Sequence, residues 1–303
     1  MAEANMRTAP VVVRPVAKLT GGKPRSLWGD VRRRLLRNKG AVVGLVVFAL
    51  ILAVAAAAPL LAPFNPVRIN PADSLSPPTT RYWMGTDAFG RDAYSRILYG
   101  SRISVQMGLV AVAISVVAGA TLGLISGYYR GAVDMTIARL TDVMLAFPGI
   151  LLALVIIAIL GRNLTSAMIA VGVSGMPVFI RVVRGAVFSV REREYVIAAQ
   201  VIGCSNARTL TRHILPNVAA SVIVLATLGI PNAIIAGASL SFLGLGIQPP
   251  TPDWGEMLSS GRSYVSTAWW LSTFPGLAIL VMVLAINLFG DGLRDALDPR
   301  QTR

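Results

Sequence analysis

Six long stretches without a charged residue constrain the fold of this 303-residue chain more than any other feature. The hydrocarbon core of a bilayer is about 30 Å thick, so a helix needs about 20 apolar residues to cross it. The fifth stretch is too long for one crossing, and we place its helix near residues 218–240 with a loop after it. The sequence therefore predicts an all-α integral membrane protein with six transmembrane helices. The uncharged stretches are residues 41–62, 105–127, 143–161, 163–180, 214–252 and 264–290.

The composition agrees with a single membrane bundle. Only 14% of the residues are charged and 54% are hydrophobic, whereas a soluble domain carries about 25% charged residues. The net charge of +14 is concentrated at one end, because ten of the 28 lysines and arginines precede residue 40. Basic arms beside apolar spans are typical of membrane orientation and of attraction to anionic lipid. We therefore expect membrane lipid, and not nucleic acid, as the partner of this basic segment.

The distribution of lysine and arginine also predicts the orientation. With the N-terminus inside, the predicted cytoplasmic segments contain 21 of these residues and the external segments contain seven, as the positive-inside rule requires. Both ends of the chain are then cytoplasmic, and the protein is expected in the cytoplasmic (inner) membrane. Trp83, Trp269 and Trp270 suit an aromatic belt at the outer interface.

These features divide the chain into consecutive segments. The first span is interpreted as an uncleaved anchor, because its preamble and its apolar length both exceed those of a secretory signal. The predicted segments are a basic cytoplasmic segment 1–40, disordered over 1–25 with a surface helix over 28–39; a first transmembrane helix 41–62; an external loop 63–104 with an interfacial helix near 92–100; a five-helix core 105–290 containing a cytoplasmic loop 181–213; and a cytoplasmic tail 291–303.

The side chains within the spans argue against several functions. Mid-membrane carboxylates or histidines, typical of proton- or sodium-coupled carriers, are missing from the predicted spans. A membrane hydrolase would need a nucleophile with a base, and no such constellation is found. Cys204 is the only cysteine and His213 the only histidine, which excludes an intrachain disulfide and a four-ligand zinc site of these residues. We predict no catalytic, metal-binding or cofactor-binding residue.

Small residues and prolines are the other notable components of the spans. Glycines such as Gly119 and Gly123 permit close helix packing. Four prolines lie well inside the predicted spans, and each removes a backbone hydrogen bond and favours a kink. Such kinks fit a bundle that opens and closes, although static membrane proteins contain them too. The four prolines are Pro148, Pro177, Pro231 and Pro275.

The chain has no phosphate-binding loop of the form G-x-x-x-x-G-K-[ST]. Its nearest approach, Gly21-Gly22-Lys23, lacks the earlier glycine and the hydroxyl residue. We therefore do not expect this chain to be an enzyme that hydrolyses ATP. Any function of this chain that is driven by ATP would therefore need an ATPase in another subunit.

The predicted cytoplasmic loop contains a recognisable pattern. Residues 195–200 have helical character, Gly203 interrupts them, Ser205 or Asn206 can cap a second helix, and Pro216 suits the first turn of the fifth span. By shape alone, this segment could be a structural connector or a docking surface.

The spacing within this loop resembles the "EAA" loop of binding-protein-dependent ABC importer permeases. Ile197 stands where the motif has glutamate, and His213 stands where it later has isoleucine. The resemblance implies that a coupling helix, over residues 198–211, docks in a cleft of a cytoplasmic ATPase subunit. The residues to which it assigns this coupling are Ala198, Ala199, Gly203, His213, Leu215 and Pro216.

Three further motifs extend the resemblance to residues 30–300, closest to the C-type permease of dipeptide systems. They are Gly85-Thr86-Asp87 with Gly90-Arg91-Asp92; Gln248-Pro249-Pro250-Thr251-Pro252-Asp253-Trp254-Gly255; and Phe289-Gly290-Asp291-Gly292-Leu293-Arg294-Asp295. The first two are predicted to be external, where they either form turns and helix caps or dock a binding protein. The docking residues would be Gly85, Asp87, Gly90, Arg91, Asp92, Gln248, Pro249, Pro250, Asp253 and Trp254.

The resemblance implies a type I ABC importer permease bundle that transports short peptides, chiefly dipeptides. Its implied partners are a homologous B-type permease in a heterodimer, two ATPase subunits that hydrolyse ATP, and an extracytoplasmic solute-binding protein. Import of nickel or oligopeptides is the alternative within the family, and a secondary carrier or channel is the alternative outside it. The solute itself is left open, because in this family the separate binding protein largely selects it.

Overall fold

The computed structural model describes residues 27–297, and this part of the chain is almost entirely helical. Its β-structure is limited to an isolated bridge between Thr86 and Asp92. Two short 3-10 turns, Pro71–Asp73 and Arg262–Tyr264, lie in the connections. The helices are α1 Leu27–Arg37, α2 Lys39–Leu61, α3 Ala93–Tyr129, α4 Gly131–Ala146, α5 Gly149–Leu160, α6 Leu164–Arg191, α7 Glu194–Val201, α8 Asn206–Arg208, α9 Leu215–Phe242, α10 Trp254–Gly261 and α11 Trp270–Leu297.

Within residues 27–297, five helical segments are long and apolar enough to cross a membrane, and the number is six if one bent pair counts as a single span. The bent pair is α4 and α5, whose axes differ by 96°. The prediction of one continuous helix over 143–161 is therefore wrong. Pro148 precedes α5, and its missing N–H and its restriction of the preceding residue favour a break there. The α5 helix has only 12 residues, a length of about 18 Å.

The second span differs from its prediction at the opposite end. The interfacial helix expected near residues 92–100 and the span expected over 105–127 are one helix, α3, of 37 residues. Asp92 caps its first turn, and no proline interrupts the backbone hydrogen bonds that follow. At 1.5 Å per residue, α3 is about 55 Å long.

Three other boundaries differ from the sequence-based segments. Helix α6 continues to Arg191, so the first third of the predicted loop 181–213 is helical. Helix α11 continues to Leu297, into the predicted tail 291–303. The basic helix expected over 28–39 is α1, which ends at Arg37, where Asn38 begins α2 as its N-cap. The prediction of disorder over residues 1–25 lies outside the described residues.

Close packing between α3 and α6 forms the centre of the bundle. Gly119, Gly123 and Gly127 lie one turn apart on α3, and a methyl group on any of them would stand 2.7–2.8 Å from the nearest α6 atom. The helices run parallel, because Gly119 meets Phe179 and Gly127 meets Val187. These contacts agree with the close packing predicted from small residues.

The remaining long helices surround this pair. Helix α2 runs antiparallel to α11, with Gly44 against the backbone of Ala285. Helix α9 runs antiparallel to α3, with Gly108 against Ile234. As a result, α3 contacts α2, α4, α6, α9, α10 and α11. Connecting segments lie at both ends of α3, and these segments contain most of the predicted functional residues.

Candidate functional site

The connection between α6 and α9 (residues 192–214, hereafter the α7 connection) has the local form that the sequence predicts. Helix α7 ends at Val201, and Gly203 follows with φ of +84°, a conformation that suits glycine. Ser205 then caps α8, accepting a hydrogen bond from the backbone of Arg208. The predicted glycine turn and serine cap are confirmed. The two short helices expected on either side of Gly203 are α7 and α8, so the coupling helix that the resemblance implies over 198–211 is not one continuous helix.

A π-helical turn, Thr209–Ile214, joins α8 to α9. The fifth span is therefore continuous with the second half of the α7 connection, and Pro216 lies within the first turn of α9. His213 is half-buried, whereas Leu215 and Pro216 are exposed. The carbonyl oxygen of His213 accepts a hydrogen bond from Asn217 at 2.7 Å.

Helix α7 has one buried side and one apolar exposed side. Val196 and Ala199 face the bundle, and Val196 is fully buried. Ala198 is exposed, and the large side chains of Val201 and Ile202 are about four-fifths exposed, at 80% and 81%. Contiguous exposed apolar side chains on a protein surface are typical of a protein–protein contact. Of the two predicted coupling alanines, only Ala198 is therefore accessible.

The α7 connection is attached to the end of α3. The hydroxyl group of Tyr128 donates a hydrogen bond to Oδ1 of Asn206 at 2.8 Å. The guanidinium carbon of Arg191 lies 5.6 Å from the Tyr128 ring centroid. The ring of Tyr128 also packs in an apolar cluster with Val187, Val196 and other buried residues from α6 to α9.

At the other end of α3, the first two predicted motifs meet. They lie in residues 62–92 and 243–269, the two segments that we call the two-loop cap. Arg96 joins them: its guanidinium group donates to Glu256 at 2.9 Å and to the carbonyl oxygens of Pro66 and Pro250 at 3.1 and 3.3 Å. Asp87 lies 3.7 Å from Nε of Arg96.

The acidic residues of these motifs are mainly local structural groups. Asp92 accepts hydrogen bonds from the backbone and hydroxyl groups of Ser95 at the start of α3. Asp253 caps α10 by accepting from the backbone N–H of Glu256, and burial raises the pKa of the Asp253 carboxyl. Asp87 accepts from Nε of Arg91 at 2.6 Å.

The aromatic and glycine residues of the motifs complete the two-loop cap. The indole of Trp254 donates to the carbonyl oxygen of Ile97 at 3.0 Å and lies against Gly100. Gly85 and Gly90 have φ of +73° and +69°. A methyl group on Gly90 would overlap the backbone of Asn70.

Exposure separates the predicted docking residues into two groups. Gly85, Gly90, Arg91, Asp92, Asp253 and Trp254 are buried, whereas Gln248, Pro249 and Pro250 are exposed. Asp87 is intermediate. The buried group stabilises the two-loop cap, and only the exposed group is accessible for a partner.

The predicted aromatic belt needs one correction. Trp83 and Trp269 are exposed, as a belt requires, but Trp270 is buried. Its indole donates to the carbonyl oxygen of Thr86 at 3.1 Å, inside the two-loop cap.

Sequence reasoning missed Arg96 and Glu256. They lie 160 positions apart, and no local pattern pairs them. The only sequence signal is that Arg96 is one of five arginines in the predicted external loop 63–104, where the positive-inside rule leads us to expect few basic residues.

The third motif, over residues 289–295, lies in α11, where Gly292 packs against Ala41 and Gly290 against Leu228.

A cavity of about 280 Å³ lies among α3, α5, α6 and α9. Its polar side chains are those of Ser115, Ser174 and Asn232. Within the described part of the chain, the lining contains no acidic or basic side chain. Residues 27–297 also contain no group of three histidine, cysteine or acidic residues that could hold a metal ion.

Comparison with known proteins places these features in a family. Residues 119–303 match the family model "Binding-protein-dependent transport system inner membrane component", and residues 26–78 match "N-terminal TM domain of oligopeptide transport permease C". The dipeptide transport system permease protein DppC of Alkalihalophilus pseudofirmus is 48% identical over 275 residues, covering 91% of this chain and 90% of that protein. The DppC protein of Haemophilus influenzae is 46% identical over 270 residues, covering 87% and 92%.

The fold also resembles a solved structure. A chain of the MetNI methionine ABC transporter in inward-facing conformations superposes with a TM-score of 0.55, covering 67% of this chain and 96% of that chain. At 17% sequence identity, this similarity concerns the fold alone.

Proposed function

The chain belongs to the family of binding-protein-dependent transport system inner membrane components, and from that premise we propose that it forms half of the translocation pathway of an ATP-binding-cassette importer for short peptides. The other half is a homologous permease subunit, and two separate ATPase subunits supply the energy. An extracytoplasmic binding protein delivers the solute.

The exposed apolar surface of the α7 connection carries this proposal. Val201 and Ile202 extend from the turn at Gly203 with most of their side-chain surface exposed, and removal of such surface from water favours association. We assign this surface to the ATPase contact, with Ala198, Ala199 and Gly203 giving α7 its shape. The π turn and Pro216 connect it directly to α9, so displacement of α8 moves a membrane helix.

The orientation follows from the same assignment. The α7 connection is cytoplasmic, as are both ends of the chain, and the two-loop cap is external. Gln248, Pro249 and Pro250 are the accessible motif residues there, and we propose them as contacts of the binding protein. The membrane is the cytoplasmic (inner) membrane.

The cavity among α3, α5, α6 and α9 supports a transport role. Its lining is apolar with a few neutral polar groups, so a peptide would meet neither a fixed charge nor a catalytic group. We propose that this surface contributes one wall of the pathway. The chain itself binds no cofactor, and ATP is hydrolysed by the partner subunits.

Two relatives named as dipeptide permeases, at 46% and 48% identity, favour dipeptides as the solute. Oligopeptide import is a second candidate, because residues 26–78 match a model named for an oligopeptide permease.

The single cysteine provides a test. Cys204 lies in the turn between α7 and α8 and is partly exposed. In inverted membrane vesicles, bound ATPase subunits should slow maleimide labelling of Cys204 at least about fivefold compared with vesicles that lack them, because a docked protein excludes the reagent.

A control cysteine belongs on the opposite side. Ser263→Cys in a Cys204→Ser background places an exposed thiol on the two-loop cap, which faces the lumen of these vesicles. Its labelling by a membrane-permeant maleimide should not change with the ATPase. Equal labelling of Cys204 with and without ATPase subunits would refute the assigned contact. Protection of the Ser263→Cys thiol by the ATPase would refute the orientation.

A further inference from the structure

Helix α3 is the only candidate span in the described residues that contains no proline and no break. Each of the other long helices has an internal proline: Pro59 in α2, Pro177 in α6, Pro231 in α9 and Pro275 in α11. The α4–α5 pair is broken at Pro148. An internal proline removes a backbone hydrogen bond and allows a helix to bend. The hydrogen-bonded backbone of α3 is continuous over 37 residues.

The glycines of α3 are unsuited to act as hinges. Gly119, Gly123 and Gly127 are in direct contact with α6, and Gly108 is in contact with α9. At these positions glycine permits close approach, and the neighbouring helix limits bending. Helix α3 therefore has the properties of a stiff element that is supported along its length.

The N-terminal end of α3 is joined to the two-loop cap by buried polar contacts. Arg96 is only 1% exposed, and its hydrogen bonds reach both cap segments. Trp254 adds a hydrogen bond to Ile97. A displacement of the two-loop cap cannot leave α3 in place without breaking these contacts, and breaking a buried ion pair is costly.

The C-terminal end of α3 is joined to the α7 connection by fewer buried polar contacts. At the surface, the C-cap residue Arg130 also forms an ion pair with Glu192, at the start of the connection, and both side chains are exposed. The Tyr128 hydroxyl bonds Asn206 across 78 positions of sequence, and Tyr128 itself is 4% exposed. Asn206 is the first residue of α8, directly after the turn at Gly203 and Ser205. The hydrogen bond therefore attaches α3 to the half of the connection that leads into α9.

We infer that α3 transmits movement between the two-loop cap and the α7 connection, and that Tyr128 is the positioning residue that attaches α3 to that connection through Asn206. This inference rests on the proposed function, because the signal that it explains is the response of the ATPase subunits to the binding protein outside. Tyr128 contacts neither solute nor ATP and acts through Asn206.

Tyr128→Phe removes only the hydroxyl group, and Tyr129→Phe is the matched control. Tyr129 is adjacent and half-exposed, and its ring lies edge-on to that of Tyr128 at 5.2 Å. In the complete importer reconstituted in proteoliposomes, Tyr128→Phe should reduce the stimulation of ATP hydrolysis by the solute-loaded binding protein about two- to tenfold, the range expected for one hydrogen bond. Hydrolysis without binding protein and recovery of ATPase subunits on purification should stay unchanged.

The Tyr129→Phe complex should behave like the wild type. Unchanged stimulation in Tyr128→Phe would overturn the inference, as would an equal loss in Tyr129→Phe. If Tyr128→Phe misfolds the α7 connection as a whole, recovery of the ATPase subunits falls. That result would also contradict the inference. If the wild-type complex itself recovers no ATPase subunit, the proposed function has failed instead.

A double-variant cycle tests the partner. Asn206→Ala should cause a loss similar to that of Tyr128→Phe, and the double variant should be no worse than the more affected single variant, because both remove the same hydrogen bond. Losses that multiply in the double variant would show that the two residues act separately, which would contradict the role assigned to their contact.

Discussion

At the residue scale, the polar residues of the two-loop cap stabilise structure before they do anything else. Arg96 and Glu256 are both buried and are paired with each other. Removing one member of such a pair typically costs about 3–5 kcal/mol, because the other charge is left buried without a partner. The exposed side chains of the same motifs, Gln248, Pro249 and Pro250, are free of this constraint.

The buried carboxyl group of Asp253 predicts how the stability of the protein changes with pH. Burial raises its pKa in the folded protein, so folding favours the protonated carboxyl. The resulting stabilisation is fully present below the unfolded pKa of about 3.9 and is lost as the pH rises through the folded value. Asp253→Asn keeps a good helix cap without a charge, and should therefore gain stability relative to the wild type as the pH increases above about 4.

Thermal unfolding of the detergent-solubilised protein between about pH 4 and 7 measures this difference. Asp253→Ala is the control, since it loses the α10 cap and should be less stable than Asp253→Asn by about 1 kcal/mol at every pH. A wild type and an Asp253→Asn variant that respond identically to pH would contradict the role assigned to burial.

At the scale of helices, the α3–α6 contact depends on the absence of side chains at one face of α3. The α-carbon positions of Gly119, Gly123 and Gly127 bring the two backbones close together, as small residues do in membrane helix pairs. Gly185 on α6 is different, because a methyl group there would meet nothing within 4 Å.

The two kinds of glycine predict opposite effects of the same substitution. In Gly123→Ala the new methyl group would lie 2.8 Å from the carbonyl oxygen of Ile180, so α3 and α6 must separate, at a cost of about 1–3 kcal/mol. Gly185→Ala should be neutral or stabilising by up to about 1 kcal/mol, through helix propensity. Thermal midpoints of the two purified variants would test this, and a midpoint lowered equally by both would contradict the packing.

The sequence predicted those parts of the helices that depend on local chemistry. The turn at Gly203 and the cap at Ser205 follow from the preferences of single residues, and the long apolar runs follow from the thickness of the bilayer. The sequence predicted a helix near residues 92–100 but not its continuity with the span over 105–127, because Arg96 and Arg102 precede the apolar run. The charge of Arg96 is neutralised by Glu256, which is 160 positions away in sequence. A kink at Pro148 was predicted, but the complete break with its 96° change of direction was not, because the residues on both sides of it are uniformly apolar. Hydrophobicity reports transfer out of water and carries no information on the direction of a helix.

At the scale of the whole molecule, the two-loop cap and the α7 connection lie at opposite ends of the continuous helix α3. The two-loop cap contains the accessible motif residues Gln248, Pro249 and Pro250, and the α7 connection contains the exposed apolar residues Val201 and Ile202. The proposed import cycle assigns the binding protein to the first and the ATPase subunits to the second. Gly203 shapes the ATPase surface, and its φ of +84° is strained by about 1–2 kcal/mol for a residue with a β-carbon.

The most direct test is uptake of a labelled short peptide by proteoliposomes that contain both permease subunits, the ATPase subunits and the binding protein. We expect uptake only when ATP and the ATPase subunits are present. Gly203→Trp should lose about nine-tenths or more of that uptake, and Gly203→Asn should retain most of it, since asparagine tolerates the left-handed conformation. Uptake by the permease pair without ATPase subunits, or normal uptake with Gly203→Trp, would show that an ATPase docked at this turn does not drive transport.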